Sequence, residues 1–434
     1  MTRLRITLGL CLIALPAFAQ STGIAEVDSA SIARSAWAAA GRALRANDYE
    51  TARREVEHAA SAWPAQHAYV WGRAVMAVRV GDSAAVRLAL ADYAKLGLGR
   101  DLRSDSLFAP YRETPWFAEL AREHDANRAV IANSTIRLAL QDSTFWPEGV
   151  DYDANRKKFY VASVRHRTII ELSRNGEVRE LLPRDQQDIG AILGVRVDPR
   201  GGVVWATTTG IPQMNGFVPS DTAIAALLRV GLRRGEVERR WNLPAGTKHV
   251  PGDLAIGPRG DVFVTDSDQP FLYRLRIGAD TLERITSPLF RSLQGLASSP
   301  DGRVLYLADY SHGLLRVDLA TNAVTRVADA PNSTSLGCDG LVWYRGSIIA
   351  IQNGVAPARV MRFHLDERGQ RVTKAEVLDQ NWTVADEPTV GTLAGDFFVY
   401  VANSQWEKYT DDGKRKPEVK LTAPLLLSLR LKDR

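Results

Sequence analysis

Cysteine is nearly missing from this chain: 434 residues carry two, Cys11 and Cys338. Cys11 falls in a leader-like segment, so one thiol is left and an intramolecular disulfide framework is excluded. A fold without staples needs a large hydrophobic core instead. Long apolar runs are also missing. Residues 6–15 form the longest, about half of the ~20 residues that a spanning helix requires. Charge of one sign is scarce too, with 55 basic against 50 acidic side chains and a net charge of +5. The bases are interspersed with acids, as in Arg233, Arg234, Glu236, Glu238, Arg239 and Arg240. The densest basic patch, residues 408–420, carries acids as well. This pattern argues against a nucleic-acid or membrane partner. No serine–histidine–aspartate order, nucleophile elbow or dinucleotide glycine loop is present.

Residues 1–19 read as a secretory signal. Arg3 and Arg5 give the basic end, residues 6–15 the apolar centre, and Ala17-Phe18-Ala19 a small-x-small cleavage site before Gln20. The expected location is the periplasm or the exterior. Residues 21–28 read as a polar linker.

Residues 28–127 read as an α-helical repeat domain. The stretch 32–64 has helical spacing with a break at Asn47-Asp48, where Asp48 suits an N-cap. Residues 65–96 repeat the arrangement with a break at Gly81-Asp82. Trp37 aligns with Trp71, Leu44 with Val78, Asp48 with Asp82 and Ala52 with Val86, an offset of 34. That is the tetratricopeptide period. A degenerate third unit starts at Asp101, and residues 114–124 supply a final helix. Such an array either docks a protein or peptide partner or acts as a buttress.

From residue 131 the pattern changes to short strands. The segment LQGLASSPDGRVLYLAD at 293–309 reads strand, tight turn, strand. Pro300 presets the turn and Gly302 takes its positive φ. The pattern recurs with leading residues at 148, 193, 252, 294, 339 and 387, in steps of 45, 59, 42, 45 and 48. Short strands at this period define a radial repeat. The expected fold is therefore an all-β six-bladed β-propeller over 131–434, preceded by the α-helical repeat domain. Residues 133–140 and 424–431 both read as strands and are assigned to the sixth blade, closing the ring. Inserts at 210–222 and 408–420 are expected on a face of the disk, where they could cover a pocket, or, if the leading residues ring the top of the channel, on the other face or the rim.

In a propeller the innermost strands converge on the axis. The residues opening them are Glu148, Leu193, Gly252, Gln294, Asp339 and Glu387. Three acids and an amide on one ring require a cation, hydrogen bonds or hydration. A hard cation with oxygen ligands suits them: calcium first, with magnesium, manganese or zinc as alternatives. A second ring, Ser163, Thr208, Asp266, Asp309, Asn353 and Asn403, is read as local turn chemistry. His166, His249 and His312 are expected at the surface.

These residues carry a resemblance. FWPEGVDYDANRKKFYV at 145–161, Gly252-Asp253-Leu254, Gln294–Asp309 and Asp339-Gly340-Leu341 resemble blades of the senescence-marker-protein and gluconolactonase family over residues 131–431. The resemblance implies a six-bladed propeller with one axial divalent metal that hydrolyses sugar lactones or related cyclic esters. The implied metal ligands are Glu148, Gln294 and Asp339, with Glu387 as an added acid. Asp339 or Asp253 would be the general base. Two positions depart from the family pattern: Gln294 stands where asparagine is usual, and Gly252 replaces an asparagine ahead of Asp253. The function implied is a metal-dependent hydrolase of a small cyclic ester. The competing reading is a non-catalytic propeller that binds a protein, peptide or glycan, with the helices as docking arm.

Overall fold

The computed structural model describes residues 21–184 and 186–432. The signal segment assigned to residues 1–19 lies outside them. Among the described residues no helix is long and apolar enough to cross a membrane.

Five α-helices come first: α1 (Ser21–Arg45), α2 (Tyr49–Ala62), α3 (His67–Arg79), α4 (Ser83–Lys95) and α5 (Pro115–Asn127). Helix α1 begins at Ser21, where a linker was expected; the polar stretch to Asp28 holds no proline, and the helix runs through it. The 34-residue offset appears as matched breaks. Asn47 (φ 59°) ends α1 and Gly81 (φ 72°) ends α3, both left-handed. The next residue caps the following helix, Asp48 through the Thr51 amide and Asp82 through the Ala85 amide, each at 3.0 Å. A left-handed stop followed by an aspartate cap reverses the chain in two residues. Neighbouring helices then pack through small residues such as Ala33, Ala36, Ala59 and Ala60.

The remaining strands form six four-stranded antiparallel sheets. Their innermost strands are Pro147–Asp153, Ala191–Asp198, Pro251–Ile256, Leu293–Ser298, Cys338–Tyr344 and Gly391–Ala394. Each contacts the next around the ring, and the first contacts the sixth. Blades one to five use consecutive strands. The sixth takes its outer strand, Thr135–Ala139, from the start of the propeller and pairs it with Leu425–Arg430. Both ends of the propeller are thus locked in one sheet, and no edge is left open at the seam.

Hydrophobic clusters lie between adjacent blades. Leu140, Val150, Phe159, Val390, Val399 and Leu426 seal the sixth blade to the first. Tyr344, Ile349, Phe398, Leu427 and Leu429 seal the fifth to the sixth. Each fully buried large aliphatic side chain contributes roughly 1.5–3 kcal/mol, so a ring of such clusters supplies the core that the missing disulfides cannot.

The inner strands share one irregularity. In blades one to five the register with the second strand slips just where the leading residue sits, for example between Pro147 and Val150 and between Cys338 and Leu341. A bulge re-aims a side chain, and here it turns the leading residues toward the axis. The residue after the leader is glycine in four of these blades because the next inner strand passes against it. A Cβ on Gly340 would stand 2.6 Å from Val390 Cα, and one on Gly149 would overlap the Leu193 carbonyl. The third blade inverts the order, with Gly252 leading and Asp253 in the glycine's place.

Candidate functional site: an acidic axial cavity

All six leading residues line a single cavity of about 440 Å³ on the axis. Its wall also includes Asp253, Tyr310, Asn353, Asp386, Trp406 and Glu407. Six carboxylates face this space with no lysine, arginine or histidine in the lining. The residues singled out from the repeat phase, Glu148, Gln294, Asp339 and Glu387, therefore share one cavity with Asp253, which the family resemblance added.

Each is held differently. Glu148 accepts a hydrogen bond from Trp406 Nε1 at 2.7 Å. Asp339 accepts from Asn353 Nδ2 at 2.8 Å. The Tyr310 hydroxyl donates to Asn353 Oδ1, and Asn353 Nδ2 also donates to the Pro388 carbonyl at 2.9 Å. Glu387 accepts from the Glu407 amide at 3.0 Å. Gln294 turns its amide nitrogen to Ser292 Oγ at 3.3 Å. Asp253, standing in the glycine's place, points into the floor. There Arg196 Nη2 lies 3.2 Å from one of its oxygens, and the Leu254 amide donates to the other at 2.8 Å.

Burial among like charges shows in the proton affinities. Burial raises the Glu148 carboxyl well above its ordinary range, with Asp339, Glu387 and Asp253 adding repulsion against the opposing Trp406 bond. Burial pushes Asp339 up to about 7, partly offset by Asn353 and reinforced by Asp253. Burial likewise takes Glu387 up to about 7. Asp253 is raised by burial and held back by Arg196.

Among the described residues no three His, Cys, Asp or Glu side chains come close enough to form a ready-made metal cluster. The donor chemistry nevertheless suits a hard cation. Glu148, half-buried, and Asp339, buried, are carboxylates facing one space, each with a single neutral hydrogen-bond donor, and the amides of Gln294 and Asn353 add oxygen chemistry beside them. Oxygen donors with unanswered negative charge are what calcium-type ions select.

Several expectations require correction. The second strand of each blade runs back to the start of the first, so the loop after it returns to the cavity face. The sixth-blade loop accordingly brings Trp406 and Glu407, just ahead of the insert at 408–420, into the wall on the cavity face. It also meets the second-blade insert, where Gln213 Nε2 donates to the Asp411 carbonyl at 3.3 Å. The second ring does serve local structure at Asp266 and Asp309, which accept several loop amides. Asn353 is different, since it reaches Asp339. His166, His249 and His312 are buried, not superficial. His249 Nδ1 sits 2.5 Å from Asp266, and His312 stacks on Trp63 of the helical array. A histidine beside a turn carboxylate is legible from spacing, but the helices that cover His312 are not.

Fold and cavity together define a six-bladed propeller with an acidic axial site. Residues 146–396 match the SMP-30/Gluconolactonase/LRE-like region, and the chain belongs to that family. Among solved structures it is similar to a gluconolactonase of Xanthomonas campestris, at 16% identity and a TM-score of 0.47 over 70% of this chain and 92% of that one. It is similar to regucalcin of Agrobacterium tumefaciens, a calcium-binding protein, at 15% identity and a TM-score of 0.46 over 69% and 95% of the two chains. It is also similar to virginiamycin B lyase of Staphylococcus aureus, at 14% identity and a TM-score of 0.43 over 60% and 79%. No curated protein sequence matches the chain significantly.

Proposed function

We propose that the axial cavity binds one divalent cation, calcium first, and hydrolyses a small lactone or related cyclic ester. The observation that carries this reading is the acidic wall, in which Arg196 answers Asp253 and Lys408 answers Asp386 but Glu148, Asp339 and Glu387 accept only from neutral donors, with Asp339 pushed up to about 7. Glu148 and Asp339 would hold the ion, helped by the Gln294 amide and by Glu387. Such an ion polarises a carbonyl and makes water a better nucleophile at neutral pH. Asp253 is engaged by Arg196 and the Leu254 amide. That favours Asp339 or Glu387 for taking the proton from the attacking water, since a base near neutrality balances availability against strength. The acidic wall disfavours anionic substrates, so a neutral ester is the class proposed. Trp406, bonded to Glu148, offers a flat apolar surface beside the acids.

The proposal extends to placement and boundaries: a cleaved leader at 1–19, export to the periplasm or exterior, a tetratricopeptide-like domain over 28–127 and the propeller over 131–434. A second reading has its own observation. A groove of about 800 Å³ lies between the helices and the fourth blade, lined by residues including Trp63, Arg73, Asp92, Arg326 and Asp329. This favours a non-catalytic propeller stabilised by the ion, with the helices docking a peptide. A panel of neutral lactones assayed with calcium and with chelator separates the two. Turnover lost on chelation supports the hydrolase. A bound cation without turnover on any lactone supports the binding module.

A further inference from the structure

The helices do not merely precede the propeller; they are tied to the loops behind one wall of the cavity. Leu336, three residues before Asp339, is fully buried in the helical cluster with Ala30, Ala33, Trp63 and Tyr69. Val355, two residues after Asn353, packs with Val70, Tyr93, Leu96 and Leu98. Arg34 of α1 places Nη1 2.5 Å from His312 Nε2, two residues after Tyr310.

A buried polar chain runs through the same place. Arg359 donates from Nη1 to the Gly97 carbonyl at the end of α4, at 2.8 Å, and from Nε to Gln352 Oε1 at 2.6 Å. Gln352 Nε2 donates in turn to the carbonyls of Thr334 and Leu336, at 2.8 and 2.7 Å. Gln352 is paired with Cys338 across the sheet, the residues that precede Asn353 and Asp339. Backbone bonds lace the three loops together. The Gly337 amide donates to the Tyr310 carbonyl at 3.2 Å, and the Gly354 amide to the Gly337 carbonyl at 3.0 Å.

We infer that the helical array is a working part of the acidic cavity: it fixes the loops at 310–313, 334–337 and 352–359 so that Tyr310 orients Asn353 and Asn353 orients the Asp339 carboxylate. Tyr310, Asn353 and Arg359 are positioning residues. The inference deepens the cation-binding reading and rests on it for its ligand. The physical reason is that a carboxylate works as a ligand only when its lone pairs are aimed, and outer hydrogen bonds do the aiming. A propeller loop alone is mobile. The packed helices behind it are not needed for the ring to close, since the sixth blade closes it already, so this docking has a separate consequence at the site.

The test uses the full chain and calcium alone as probe. Tyr310→Phe removes one hydroxyl, and Arg359→Lys breaks the link from Gly97 to Gln352. Arg53→Gln, in an exposed ion pair confined to α2, is the control. Calcium affinity by calorimetry and amide exchange by mass spectrometry are measured on all four proteins. Calcium affinity is expected to fall about 10-fold or more in Tyr310→Phe and Arg359→Lys. Exchange should quicken at 334–341 and 352–356 in Arg359→Lys while the strand Lys158–Ser163 is unchanged, and Arg53→Gln should match wild type. If Arg359→Lys does not fold, Tyr310→Phe carries the affinity test. Unchanged calcium affinity in Tyr310→Phe, or exchange that quickens equally in every blade, overturns the inference. If wild type binds no calcium, the cation reading fails on its own. The positioning claim is then judged by exchange: quickening confined to those segments upholds it, and no quickening overturns it.

Discussion

Asp339→Asn should make the cation-free protein more stable, and the size of the effect follows from the cavity. Asp339 is lifted from the ordinary 3.8 to about 7 by burial among other acids. At about 1.4 kcal/mol per pH unit, this corresponds to at most roughly 4 kcal/mol against the ionised folded state. Water in the open cavity screens part of that, so a gain of about 1–3 kcal/mol is expected above neutrality. For a chain of this size that raises Tm by about 1–3 °C. The sign is fixed by the direction of the shift. An acid whose folded pKa lies above its unfolded one costs stability as pH rises from about 4 to about 7. The asparagine variant lacks this loss. Its advantage is therefore full at pH 8, shrinks through pH 6 and vanishes near pH 4. The hydrogen bond from Asn353 survives, because the asparagine oxygen still accepts it. Thermal melts of both proteins in chelator at pH 8, 6 and 4.5 give the answer. A variant that melts below wild type at pH 8, or a gain that grows on acidification, would refute the electrostatic account of the cavity.

Other outcomes follow from particular contacts. Calcium binding must displace protons from groups near 7, so its apparent affinity should drop about tenfold per displaced proton for each pH unit below 7, read by calorimetry at pH 8, 7 and 6. Trp406→Phe removes the indole that bonds Glu148; the tryptophan emission change on calcium addition should shrink, and an unchanged signal would place the reporter elsewhere. Gly340→Ala puts a Cβ 2.6 Å from Val390 Cα and should destabilise the ring by more than about 3 kcal/mol, seen as a lowered denaturant midpoint. Leu427→Ala, at the fully buried contact between the fifth and sixth blades, should cost about 2–5 kcal/mol.

What the chain discloses and what it hides divide along physical lines. Blade number, ring closure and the convergence of Glu148, Gln294, Asp339 and Glu387 follow from period and phase, because each blade repeats the same local problem. Helix ends at Asn47-Asp48 and Gly81-Asp82 follow from local capping chemistry. Contacts between distant segments leave no periodic trace. Trp406 reaches Glu148 through an irregular insert. Asn353 resembles its turn-forming counterparts until its partner Asp339 is seen across the blade. Asp253 reads as a free acid because its neighbour Arg196 belongs to another blade. His312 looks superficial because the helices that bury it are almost three hundred residues away in sequence.

The most direct test is a calcium titration of chelator-stripped protein at pH 8, run on wild type, Glu148→Gln and Asp339→Asn. The account predicts one equivalent bound by wild type and little or none by either variant. No binding by wild type at millimolar calcium, or equal binding by all three, would contradict it.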